Sequence, residues 1–151
     1  MSSFIPHSKA PKPTDNHTDN GMINNSDDFY PAIILSDFRQ VMRVDDSVTD
    51  SRAVQQIKTA VYMITADIVQ WRESARLNKR TLTIDQAELY KMAVYNKAKA
   101  LIIENYRDID TTKSGHNRAD GMETRIDTYL ARSRECQRLL TDKPRTTITL
   151  I

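Results

Sequence analysis

Residues 49–72, TDSRAVQQIKTAVYMITADIVQWR, decide the fold class. Val54, Ile57, Val61, Ile64, Ile68 and Trp71 recur there at alternating spacings of three and four, which puts them on one stripe of an α-helix. Thr49 can cap that helix, and Asp50 suits its first turn by opposing the helix dipole. Gln56, Lys58, Asp67 and Arg72 fall on the polar face. The helix is expected to run to about residue 77, about 40 Å at 1.5 Å per residue. Such a stripe packs against neighbouring helices at shallow angles. The chain reads as all-α.

Toward the N-terminus, order is expected from Phe29-Tyr30-Pro31-Ala32-Ile33-Ile34-Leu35, followed by Ser36 as the N-cap of a short helix over residues 37–43. Phe38, Val41 and Met42 would face inward. Toward the C-terminus, Thr83-x-x-Gln86 is a capping-box pattern that opens a third helix. From Leu89 to Ile109 its apolar residues nearly circle the axis, so it is central or carries two buried faces. A small bundle rarely needs that much apolar surface for its own core. Tyr95, Ile102, Ile103 and Tyr106 are therefore expected to contact a neighbouring copy.

After a break at residues 110–115, a fourth helix carries Ala119, Met122, Ile126, Tyr129, Ser133, Cys136 and Leu140, and ends before Pro144. Residues 145–151 are largely β-branched, with Ile148 and Leu150 alternating against Thr, and read as a strand with no second strand to pair with. Residues 1–28 hold apolar side chains only at isolated positions and are expected to form a flexible, disordered arm. The expected architecture is a small helical bundle of one short and three long helices, with a domain over residues 29–143 and an extended docking tail over 144–151.

Composition sets the bounds. The 151 residues, 39% hydrophobic and 28% charged, suffice for one small domain. With 3 Gly and 5 Pro, several of the latter in the first 31 residues, most of the chain is free of helix breakers. A net charge of +2 lacks the basic excess typical of nucleic-acid binders. Cys136 is the single cysteine, which excludes an internal disulfide and suggests a reducing compartment. No signal-peptide core or membrane-spanning run is visible, so a cytoplasmic protein without membrane contact is expected.

No constellation carries catalysis, and no enzyme, cofactor or metal is expected. Asp108-x-Asp110-x-Thr112 would need Gly at Lys113 and Glu at Ala119 to be a calcium loop. His116 and Asp120 share a helical face but lack further ligands. Lys113-Ser114-Gly115 lacks the upstream glycines of a phosphate-binding loop. Cys136 falls on an apolar stripe, as a buried, inert thiol would. Arg118, Arg125 and Arg132 recur every seven residues along one edge of the fourth helix. That edge reads as a solvated face or, more sharply, as a rail facing DNA or a neighbouring subunit.

Several pieces together resemble a known family, from about Phe29 to the end of the chain. They are Phe29-Tyr30-Pro31, Asp37-Phe38-Arg39, Met42-Arg43-Val44-Asp45, and Ala66 through Trp71-Arg72. Further along come Tyr106-Arg107-Asp108-Ile109-Asp110-Thr111-Thr112, Gly115-His116, Ala119-Asp120 and the ending Pro144-Arg145-Thr146-Thr147-Ile148-Thr149-Leu150-Ile151. The sequence is similar to the head completion/stabilisation proteins of temperate contractile-tailed phages, the L-protein family. That family favours Phe-Trp-Pro at the start and Pro after the capping Thr, where this chain has Tyr30 and Asp50.

The resemblance implies a virion protein that joins the phage portal protein after packaging, keeps DNA in the head and prepares it for the tail. By similarity to head-tail connector adaptors it implies a ring of twelve copies in the neck, beside packaged DNA and in contact with tail-terminator or neck proteins. Assembly would take place in the host cytoplasm. The tail residues Arg145, Thr146, Thr147, Ile148, Leu150 and Ile151 would dock on the portal or on a neighbouring subunit. The competing reading is a helical DNA-binding packaging factor, which would need a short basic recognition helix.

Overall fold

The computed structural model describes residues 21–109 and 116–144, with the backbone alone at 107–109 and 116–119. It begins with a two-stranded antiparallel sheet, β1 (Met22–Ile23) against β2 (Ile33–Ile34), in which Met22 faces Ile34 and Ile23 faces Ile33. Five helices follow: α1 (Leu35–Met42), α2 (Asp50–Asp67), α3 (Val69–Leu77), α4 (Ile84–Ile109) and α5 (His116–Leu140). The all-α expectation holds. The small sheet lies partly within residues 1–28, and Ile23 is buried in the main core. Packed structure therefore starts no later than Gly21, inside the segment expected to be an arm. Residues 1–20 lie outside the described residues.

Local chemistry fixes most helix ends. Thr49 Oγ1 accepts from the Arg52 amide at 3.4 Å, as expected of the α2 cap. The capping box at α4 is complete in both halves: Gln86 N–H donates to Thr83 Oγ1 at 3.2 Å, and Thr83 N–H donates to Gln86 Oε1 at 3.0 Å. Ser36 is not the cap of α1. Ile34 holds that position without a side-chain bond, because the helix begins directly off β2 and the Leu35 amide donates to the Gly21 carbonyl at 2.9 Å.

The expected second helix is divided at Ile68, which has φ −106° and ψ 15°. Three residues earlier, Thr65 Oγ1 donates back to the carbonyls of Val61 and Tyr62 at 2.9 and 3.0 Å. Such back-bonding competes for helix carbonyls and bends helices. The buried stripe of α2 runs through Ala53, Ile57, Ala60 and Ile64, with Val54 and Val61 partly buried on its flank. It is thus rotated slightly from the all-large stripe read in the sequence.

α4 is the middle of the molecule. α2 packs along it, α1 touches it, and α5 packs extensively against α4 with no comparable packing on α1 or α2. The main core lies among α1, α2 and α4, joined by Ile23 of β1, Ile33 of β2 and Leu140 of α5, and a second cluster of Ala100, Ile103 and Ile126 lies between α4 and α5. The buried Ser133 hydroxyl donates to the Ala93 carbonyl at 2.8 Å and ties the two long helices together.

Candidate interaction surfaces

Sequence pieces far apart in the chain converge in space. Phe29 packs edge-on against both Tyr30 and Trp71, and Tyr30 stacks on Tyr90 with centroids 4.6 Å apart. The Arg72 guanidinium lies 4.0 Å over the Phe29 ring and also binds Asp27. That hydrogen bond holds the Asp27 carboxyl below its usual range, against a smaller opposing effect of burial. Asn25 donates to the Pro31 carbonyl and accepts from the Tyr90 hydroxyl. Nearby, Tyr95 donates to Asp37, and Arg39 donates to Asp50 and to the carbonyls of Asp45 and Val48. These motif residues tie the N-terminal segment and α1 onto α2, α3 and α4.

The residues expected at a subunit interface are placed otherwise. Tyr95, Ile102 and Ile103 are only 2, 4 and 8% exposed within one chain. Tyr106 is partly buried, and its hydroxyl donates to the Ser47 carbonyl. α4 is apolar nearly all round because α1 and α2 cover one side and α5 the other. An interface built on Tyr95, Ile102 and Ile103 is thereby corrected: they have almost no surface to offer a second copy.

The arginine edge leads to a second feature. Arg125 and Arg132 on α5 line a groove of about 480 Å³ together with Arg43 and Lys99. Arg43 caps the C-terminus of α1 in the left-handed conformation, φ 49°. Lys99 on α4 is 9% exposed, and its Nζ donates to the Arg43 carbonyl at 3.3 Å. Burial lowers the Lys99 pKa, Arg125 lowers it further, and Asp45 opposes both. Arg132 sits 5.8 Å over the Tyr129 ring. No acidic residue lines the groove among the described residues. The Arg118 side chain lies outside the described residues. Sequence reading missed Lys99 and Arg43; the available signal was a lysine between Ala98 and Ala100 on a helix apolar nearly all round.

Among the described residues no group of three or more His, Cys, Asp or Glu is placed to hold a metal ion. None of their helices is long and apolar enough to cross a membrane. Cys136 is half-buried, and burial pushes its thiol pKa up, with Glu135 adding to the effect. Arg145, Thr146, Thr147, Ile148, Leu150 and Ile151, expected to dock on the portal or a neighbouring subunit, lie outside the described residues.

Comparison with known proteins bears on a chain built of structural ties. The profile of the family described as phage head completion protein (GPL) matches residues 23–151, which includes the buried Ile23 of β1. The chain belongs to this family. The head completion/stabilization protein of Escherichia phage P2 is 25% identical to it over 134 residues, 82% of this chain and 79% of that protein. No solved structure matches it. Membership in the head completion family gives the chain a structural part in the phage head. The match begins at Ile23, the first buried residue of the sheet, and not at Phe29.

Proposed function

We propose that this head completion protein binds the portal vertex after DNA packaging, stabilises the filled head and gives the tail its platform. The observation that carries the reading is the extent of the family match, which runs from β1 through the last residue, 151. The helical domain and the tail thus belong to one family unit. In this reading twelve copies form a ring in the neck, with the portal on one side and tail-terminator or neck proteins on the other. The tail is the docking element. Pro144 follows the end of α5, and the alternation of Thr with Ile148 and Leu150 suits strand addition to another chain's edge.

Mixing the purified protein with purified portal, followed by native mass spectrometry and electron microscopy, tests the proposal. A complex with one ring of copies on the portal is expected. Absence of any complex with a portal competent for packaging would sink it.

A further inference from the structure

We infer that the groove between α1, α4 and α5 is a phosphate-binding site, formed by Arg43, Lys99, Arg125 and Arg132. Three separate elements deliver four cations to one depression that no carboxylate lines among the described residues. Lys99 is nearly buried, yet among the described residues its hydrogen bond is a single long one to a carbonyl, with no ion pair. A buried ammonium is costly without an anion beside it. Asp45 attracts Lys99 without forming an ion pair with it, and the repulsion from Arg125 is the larger effect. An anion in the groove would relieve that repulsion and complete the coordination of Lys99.

Phosphate fits better than a lone carboxylate. Guanidinium groups bind phosphate oxygens through two parallel hydrogen bonds, and three of the four cations here are arginines. Arg125 and Arg132 are seven residues apart, roughly 10 Å along the α5 axis. That span suits a run of phosphates, as on DNA, more than one free ion. The choice of DNA as the source rests on the portal-vertex reading; the groove itself does not.

The full chain is titrated into a labelled DNA duplex, followed by fluorescence anisotropy from 50 to 200 mM salt, and inorganic phosphate is titrated in parallel by NMR. The double substitution Arg125→Gln, Arg132→Gln is expected to weaken duplex binding at least tenfold. It should also lower the salt slope by about 2, since each phosphate that a cation neutralises adds about 0.9 to that slope. Lys99→Met, which keeps the apolar stem, should act in the same direction. Arg134→Gln, exposed on α5 and outside the groove, should change nothing. Saturable phosphate shifts at Lys99 without duplex binding would keep the site and assign it to free phosphate. Binding of neither probe, or duplex binding that the double substitution leaves intact, would overturn the inference. So would variants that lose portal binding yet keep phosphate. Loss of the portal complex alone, with phosphate binding intact in the natural sequence, would count against the portal reading and not the groove.

Discussion

Arg72 grips Asp27 with two hydrogen bonds, Nε to Oδ2 at 2.6 Å and Nη2 to Oδ1 at 3.1 Å, across 45 residues of chain. The pair fastens the N-terminal segment to α3, while Ile23 enters the core and Asn25 holds the Tyr90 hydroxyl. A chain starting at Phe29 should therefore be less stable than one starting at Gly21. Exposing Ile23 removes about 1.5–3 kcal/mol of burial, and leaving Tyr90 without its partner costs about 1–3 kcal/mol. A loss of about 3 kcal/mol is expected in urea denaturation. Equal midpoints for the two chains would show that β1 contributes nothing.

Burial raises the phenol pKa of Tyr30, Tyr90 and Tyr95, that of Tyr30 to about 12. In the unfolded chain these groups lose their protons near pH 10, while the folded chain keeps them. Their contribution is thus fully present below pH 10 and falls as pH rises toward the folded values. The slope is up to about 1.4 kcal/mol per pH unit for each tyrosine. Urea midpoints at pH 8, 10.5 and 11.5 should drop steeply above pH 10. The buried Tyr30 hydroxyl has no hydrogen-bond partner among the described residues. Tyr30→Phe should accordingly be neutral or stabilising at pH 8 and should flatten the alkaline loss.

Ile103 faces Ile126 in the cluster between α4 and α5. Ile103→Glu would place a carboxylate among apolar groups in a single subunit. The expected outcome is loss of several kcal/mol and largely unfolded protein, rather than a folded monomer that fails to assemble. Circular dichroism of the purified variant decides between the two. A cooperative melt within a few degrees of the natural protein would restore the interface reading for this position.

Most signals confined to one helix were legible, the exception being Ser36, which does not cap α1 because that helix starts directly off β2. The Thr49 cap, the Thr83–Gln86 box and the α2 periodicity each depend on residues within a few positions of one another. What depends on tertiary arrangement was not. A two-residue strand has no period to detect, so Met22 and Ile23 looked like isolated apolar residues. The excess apolar surface of α4 was visible, but whether a neighbouring copy or α5 covers it is a matter of packing. Arg125 and Arg132 stand out by their heptad spacing. Lys99 and Arg43 join them only through the way α1 and α5 meet on α4.

The tail is best tested against a domain that ends cleanly. After α5 the Lys143 amide donates to the Arg138 carbonyl at 3.0 Å, and Asp142 takes the left-handed conformation at φ 52°. These are the marks of a closed helix terminus, with Pro144 next in the chain. Among the described residues both core clusters are filled by side chains up to Leu140. Helix content and melting should therefore stay nearly unchanged. Portal binding should fall by at least tenfold, because a strand added to another chain's edge supplies main-chain hydrogen bonds that no side chain replaces. A narrower variant, Ile148→Asp with Leu150→Asp, keeps the backbone and alters only the alternating side chains. It should weaken binding less than the deletion if main-chain pairing dominates. Undiminished portal affinity of the truncated protein would end the docking reading, and a large drop in its melting temperature would show that the tail folds onto its own domain.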